Sequence, residues 1–286
     1  MKKSTALFCL ISIMLIIPFV SVQADAGFRG QSMNGSTGLF SIPTGRIGWG
    51  GRSWFGLDLG YRAIINNSIG TAHIPAITIS LFRWVELSAS FDFQPRVFQN
   101  YETHENNDLI FGAKIRLPTN IRNTDNPAVV IGGNAQLNNI SSRHNLDYNA
   151  YQPYLAITFK GNFFTMPSET TVVIGKTFYT GRHNNSNIDF GMGFDLVLFP
   201  DVFGNAVHWI MDFSNFSYSD DAWPNHGNHD TGPAQYRGIL NCGFRIDLSS
   251  FPALNKFKLL VDFVFVDLFD HVGRSFYIGA VFGFSI

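Results

Sequence analysis

The sequence predicts an all-β fold, a closed antiparallel transmembrane β-barrel of twelve strands, and three observations carry that expectation. The last dozen residues alternate: Phe276, Ile278, Ala280, Phe282, Phe284 and Ile286 fall on one face. Ser275, Gly279, Gly283 and Ser285 fall on the other, with Tyr277 and Val281 among them. Such an apolar face needs a second layer in a soluble sheet, whereas in a membrane barrel lipid is that layer. The N-terminus reads as a secretory signal, and the chain between divides into alternating segments of about ten residues, the length of a tilted membrane strand.

The elements follow in order. Lys2 and Lys3 precede an apolar run from Ala6 to Val20 broken mainly by Ser12 and Pro18, and Val22-Gln23-Ala24 offers small residues for cleavage. The signal peptide is therefore placed at 1–24, an N-terminal segment at 25–50 and the barrel at 51–286. A retained helix is the weaker reading, because the run is short and Pro18 lies near its end. No later stretch is apolar enough for a helical span. Loss of Lys2 and Lys3 takes the formal charge from −1 to −3, too weak a field to imply nucleic acid. Cys9 leaves with the signal, so Cys242 stands alone and neither an intrachain disulfide nor a cysteine zinc site can form. With 29 Phe, 27 Gly and 14% charged residues, the composition suits a β protein whose outer face meets lipid.

Strands are expected near 51–64, 71–82, 84–94, 107–117, 127–137, 151–160, 169–179, 186–198, 204–216, 234–247, 257–267 and 274–286. In the third, Val85, Leu87, Ala89, Phe91 and Phe93 oppose Glu86, Ser88, Ser90 and Asp92; in the eighth, Phe190, Met192 and Phe194 oppose Asp189, Gly191, Gly193 and Asp195. Each strand offers one face to lipid and one to a polar interior. Counting back from a periplasmic C-terminus, the long connections near 95–106, 138–150 and 217–233 fall outside, while short ones, among them a very tight Phe82-Arg83 turn, fall on the periplasmic side. That agreement favours twelve strands, with ten or fourteen left open by the weak alternation at 71–82 and 127–137.

Ahead of the first strand stands Thr37-Gly38-Leu39-Phe40-Ser41-Ile42-Pro43-Thr44-Gly45-Arg46. It resembles the Thr-Gly-Leu-x-x-x-Pro-Thr-x-Arg opening of the YjbH-like outer-membrane β proteins. The resemblance implies a barrel without catalytic residues and a link to exopolysaccharide production, although larger members carry domains that this chain does not. Pro43 and the glycines would interrupt ladder pairing, so the segment is expected as an edge strand, as a plug or latch near the periplasmic rim, or as an extended leader.

His226-Gly227-Asn228-His229-Asp230 is a dense group of metal-ligand types, but its spacing fits no metal signature and a solvated loop accounts for it. The histidines are scattered and sit beside no serine in a triad pattern, so no enzyme and no cofactor are expected. His208 alternates with Asp212 and Ser214 as a structural group of the interior. Trp54, Trp84, Tyr101, Tyr154, Tyr179, Tyr236 and Phe276 are expected in interfacial girdles.

The inward charges carry the functional expectation. Glu86, Asp92, Lys114, Arg116, Asp189, Asp195, Arg245 and Asp247 are the candidates for setting selectivity, joined on the wall by Asp58 and Asp262. They line a water-filled bore or pair with one another and fill it. Their mixed signs suit a passive or weakly selective channel for small polar solutes in the outer-membrane lipid. The alternatives are a structural or surface-exposed interaction protein with a plugged lumen, and an accessory to exopolysaccharide export.

Overall fold

A computed structural model describes residues 29–49, 53–66, 70–93, 107–119, 126–137, 149–180, 188–215, 238–251, 254, 256–269 and 275–285. The expected signal, the three long loops and the His226–Asp230 group lie outside these residues, apart from 149 and 150 at the edge of one loop.

The strands are β1 (Phe55–Asn66), β2 (Gly70–Leu81), β3 (Val85–Phe93), β4 (Asn107–Leu117), β5 (Ala128–Leu137) and β6 (Ala150–Phe163). They continue as β7 (Met166–Gly175), β8 (Asp189–Val197), β9 (Val207–Ser214), β10 (Ile239–Asp247), β11 (Lys258–Val266) and β12 (Ser275–Ser285). A two-residue strand, Phe178–Tyr179, continues β7 along β6. Every strand pairs antiparallel with its sequence neighbours, and β1 closes the ring on β12 from Gly56 opposite Ser285 to Ile65 opposite Phe276. Twelve wall strands are thus closed, and closure satisfies the wall's backbone groups without water.

Alternation decides which side chains meet lipid. On β3, Glu86, Ser88 and Ser90 are buried while Leu87 and Phe93 are exposed; on β12, Tyr277, Gly279 and Val281 are buried while Ile278, Ala280 and Phe282 are exposed. The outer surface is therefore apolar and the inner one polar, the arrangement of a membrane-spanning barrel. The Phe82-Arg83 turn is as tight as expected, with φ of 52° and 64° at its two residues.

Two details depart from expectation. The β6–β7 hairpin extends to Phe163 opposite Met166, so most of 161–168 is ladder rather than loop. Lys160, Gly161 and Asn162 hide the alternation there, but hydrogen bonding continues past the apolar band. Tyr154 belongs to no girdle. It shares the inner face of β6 with Gln152, Ala156 and Thr158, and it is buried.

Beyond the wall, the core is residues 29–49. Leu39, Phe40, Ile42, Ile47 and Trp49 are buried, as are Gln31, Ser32, Asn34, Ser36, Thr37, Thr44 and Arg46. The segment forms no regular strand. Isolated bridges join Gln31 to Thr37 and Gly38 to Pro43, and Leu39 N–H donates to the Ile42 carbonyl at 3.0 Å. Inward-facing wall glycines make room for it: a Cβ on Gly56 would strike the Trp49 ring, one on Gly60 the Gln31 side chain, and one on Gly191 would press on Ile42.

Candidate functional site

The lumen is the candidate site, and its geometry follows from the register of the wall. Phe55 pairs with Leu81 and Gly56 with Ser285, so β1 begins and β12 ends at the rim of the tight Phe82-Arg83 turn. Residues 29–49 enter and leave at that rim. Arg29 meets Glu169, three residues into β7, and Trp49 meets Asp58, three residues into β1. Between these points the segment reaches Ser214, the far end of β9.

Near the short-turn rim, Arg29 donates to both Glu169 oxygens at 3.1 and 2.8 Å, and Arg46 approaches the same carboxylate at 3.3 Å. The Trp49 indole donates to Asp58 Oδ1 at 2.7 Å, while Lys258 donates to Oδ2 at 2.6 Å. Planar guanidinium groups match a carboxylate edge, which gives the Glu169 contact direction as well as charge.

Glu86 is the next anchor. Its oxygens accept from Thr37 N–H and Thr37 Oγ1, both at 2.7 Å, and from Gly48 N–H at 3.0 Å. Lys114 lies 3.2 Å from the same carboxylate and donates to the Thr37 carbonyl at 2.8 Å. Both side chains are 1% exposed, so each charge depends on the other and on the segment.

Deeper in, Asp212 accepts from Phe40 N–H at 2.9 Å, from Ser41 N–H at 2.7 Å, from Ser41 Oγ at 2.9 Å and from the Asn241 amide at 2.8 Å. The Ser41 and Ser214 hydroxyls are 2.8 Å apart. Across the bore, the Asn34 amide donates to Asn134 at 2.8 Å, Asn134 to Gln152 at 3.3 Å, and Gln152 to Asp189 at 2.9 Å. Gly45 N–H donates to Thr158 Oγ1 at 2.8 Å, and Phe40 meets Tyr277 edge-to-face at 4.8 Å between centroids. Arg62 donates to Gln31 Oε1 at 2.9 Å, and Gln31 donates to Thr78 at 2.6 Å.

Of the residues expected from sequence, Glu86 and Lys114 come together as an ion pair, and Arg245 joins Asp262 at 2.8 and 2.9 Å with Asp195 at 3.7 Å. Asp195 also meets His208 Nδ1 at 2.6 Å, and His208 Nε2 lies 3.0 Å from the Asn205 carbonyl. Both ring nitrogens are thus engaged in holding the wall. Asp189 takes Thr177 and Gln152 as donors. Asp247 accepts from Ser249 N–H at 2.9 Å and caps a 3-10 turn, Leu248–Ser250. Arg116 lies over the Trp84 ring at 5.8 Å, and Asp92 is half-buried towards the opposite end of β3. Nothing in the sequence pattern singles out Glu169, Lys258, Arg62 or Arg29; Arg46 enters there only as the last residue of the Thr37–Arg46 motif, and Asp212 only as a neighbour of His208. Parity places Asp212 and Lys258 inside, but nothing local pairs them with residues 29–49. Among the described residues no group of His, Cys, Asp and Glu side chains has the geometry to hold a metal.

No family model and no curated protein sequence matches the chain. Among solved structures it is similar to the KdgM porin, at 10% identity over 80% of this chain and 99% of that one, with a TM-score of 0.47. An outer membrane channel from Pseudomonas putida F1 aligns at 10% identity over 92% and 99% of the two chains, with a TM-score of 0.42. The outer membrane protein Omp33 of Acinetobacter baumannii aligns at 10% identity over 82% and 98%, with a TM-score of 0.40.

Proposed function

We propose that this chain is a bacterial outer-membrane channel for small polar solutes, closed at rest by residues 29–49 acting as a plug tethered at the periplasmic rim. The single observation that carries the reading is the ionic character of a lumen that is filled. Buried ion pairs such as Glu86–Lys114 and Asp58–Lys258 stabilise a permanent core less well than apolar side chains of the same volume would. Charges retained on the wall suit a surface that meets water in some state. Both ends of the plug lie at one rim, so it withdraws as a loop towards the periplasm and need not thread through the bore.

The plug contains the whole Thr37–Arg46 motif. That agrees with a YjbH-like relationship and with an accessory role in exopolysaccharide export, which loss of secreted polysaccharide on deleting the gene would test.

The direct experiment joins plug to wall. Ser41→Cys with Ser214→Cys places two thiols where hydroxyls are now 2.8 Å apart, close enough for a disulfide after small adjustment. In planar bilayers the oxidised protein is expected to be silent and the reduced protein to open. Silence from folded protein lacking residues 29–49 would overturn the channel reading and favour a filled barrel that acts through its external loops.

A further inference from the structure

We infer that the open bore selects small organic cations, amines and guanidinium compounds, and that donors of the plug occupy their positions at rest. The inference rests on the plug reading and names the solute class of the same bore.

The lumen charges divide by what neutralises them. Lys258 is matched by Asp58, Lys114 by Glu86 and Arg245 by Asp262, all within the wall. Glu169 and Asp212 take more of their partners from the plug. Glu169 pairs with Arg29 and Arg46 of the plug, and Lys160 of β6 stands opposite it in the ladder. Asp212 takes three of its four hydrogen bonds from Phe40 and Ser41, and the fourth from a neutral amide. Asp189 takes its hydrogen bonds from the Thr177 hydroxyl and the Gln152 amide. Arg62, whose acceptors are Gln31 and the Met33 carbonyl, offsets one of these carboxylates. When the plug withdraws it takes two guanidinium groups and the amide donors with it, and the balance of charge along the bore shifts towards negative.

A second observation points the same way. The Ser88 and Ser90 hydroxyls are buried on the inner face of β3 beside Glu86, and Ser80 stands opposite Glu86 on β2; among the described residues none of the three hydroxyls has a hydrogen-bond partner. The plug passes them without using them. Hydroxyl oxygens next to a carboxylate suit ammonium and guanidinium groups, which only donate hydrogen bonds. The bidentate contact of Arg29 on Glu169 is the pose such a solute would adopt.

Two measurements test this. The reversal potential of open channels in a potassium chloride gradient is expected to have the cation-selective sign, and guanidinium chloride is expected to carry current. Glu169→Gln with Asp212→Asn is expected to move that potential to zero, while Asp212→Asn with Asn241→Asp, which keeps the charge, retains it. A chloride preference, or none, would overturn the inference while leaving the channel intact. Absence of current would count against the channel itself, so a second readout avoids conductance. In Ser214→Cys on a Cys242→Ser background, a cationic thiol reagent is expected to label faster than an anionic one of equal size, and the reverse order would overturn the proposal.

Discussion

Arg29 and Glu169, 140 residues apart in sequence, meet through two parallel hydrogen bonds of 3.1 and 2.8 Å, so the start of the described chain is fastened to the seventh strand of the wall. Arg46 shares the carboxylate. One wall residue therefore holds both limbs of the internal segment.

Glu169→Gln is expected to loosen that hold without unfolding the barrel. Losing one partner of a largely buried charge pair costs about 2 kcal/mol, the low end of the usual range because both side chains keep some exposure. If the cost falls on the closed state alone, open probability rises roughly 30-fold. Single-channel recording checks this, and Arg29→Glu with Glu169→Arg is expected to recover part of the closure.

Glu86→Gln is expected to act on stability as well as on closure. It removes the counter-ion of Lys114, which is fully buried, and breaking such a pair costs about 3–5 kcal/mol. Lys114→Met in the same chain is expected to restore most of the loss, because the uncompensated charge goes with it. The temperature at which the folded species disappears from unheated gels is the measurement.

The strands were legible because alternation is a local signal, and parity alone put Glu86, Lys114, Asp195 and Arg245 inside. Tyr154 shows the cost of reading residue type over parity, since its neighbours Gln152 and Ala156 already mark its face as internal. What fills the bore was illegible for another reason. Residues 29–49 have neither strand nor helix periodicity, and their partners lie 100 residues away for Asn34 with Asn134 and 172 for Phe40 with Asp212. Turn-like composition, with Pro43 and several glycines, gives no hint of which carboxylate each free amide will find.

Two glycine substitutions separate plug from wall. The nearest atoms to a Cβ on Gly56 belong to the Trp49 ring, so Gly56→Ala is expected to displace that side chain, shift tryptophan emission and raise open probability in a barrel that still assembles. A Cβ on Gly243 meets the backbone of Phe263 and Val264 on the adjacent strand, which cannot yield without breaking the β10–β11 ladder. Gly243→Ala is expected to lower the yield of folded barrel. Equal folding yields for the two variants would contradict this division.

Asp212→Asn tests the deepest contact, and its outcome depends on the amide of Asn241, directly opposite on the adjacent strand. The retained oxygen can still accept from Phe40 and Ser41 N–H, but the new amide nitrogen then faces the Asn241 amide, donor against donor. Asn241 cannot simply turn over, because its oxygen accepts from Asp267 N–H at 3.2 Å. One buried group is left unsatisfied whichever way the side chains rotate, at a cost of about 1–3 kcal/mol. Asn241→Asp in the same chain removes the conflict: one carboxylate oxygen accepts from the new amide and the other from Asp267 N–H. The single variant is therefore expected to open more often and melt earlier, and the exchanged pair to return towards the parent on both counts. Failure of the exchange to rescue would mean that the charge at position 212, rather than the pattern of donors and acceptors, holds Phe40 and Ser41 in the bore.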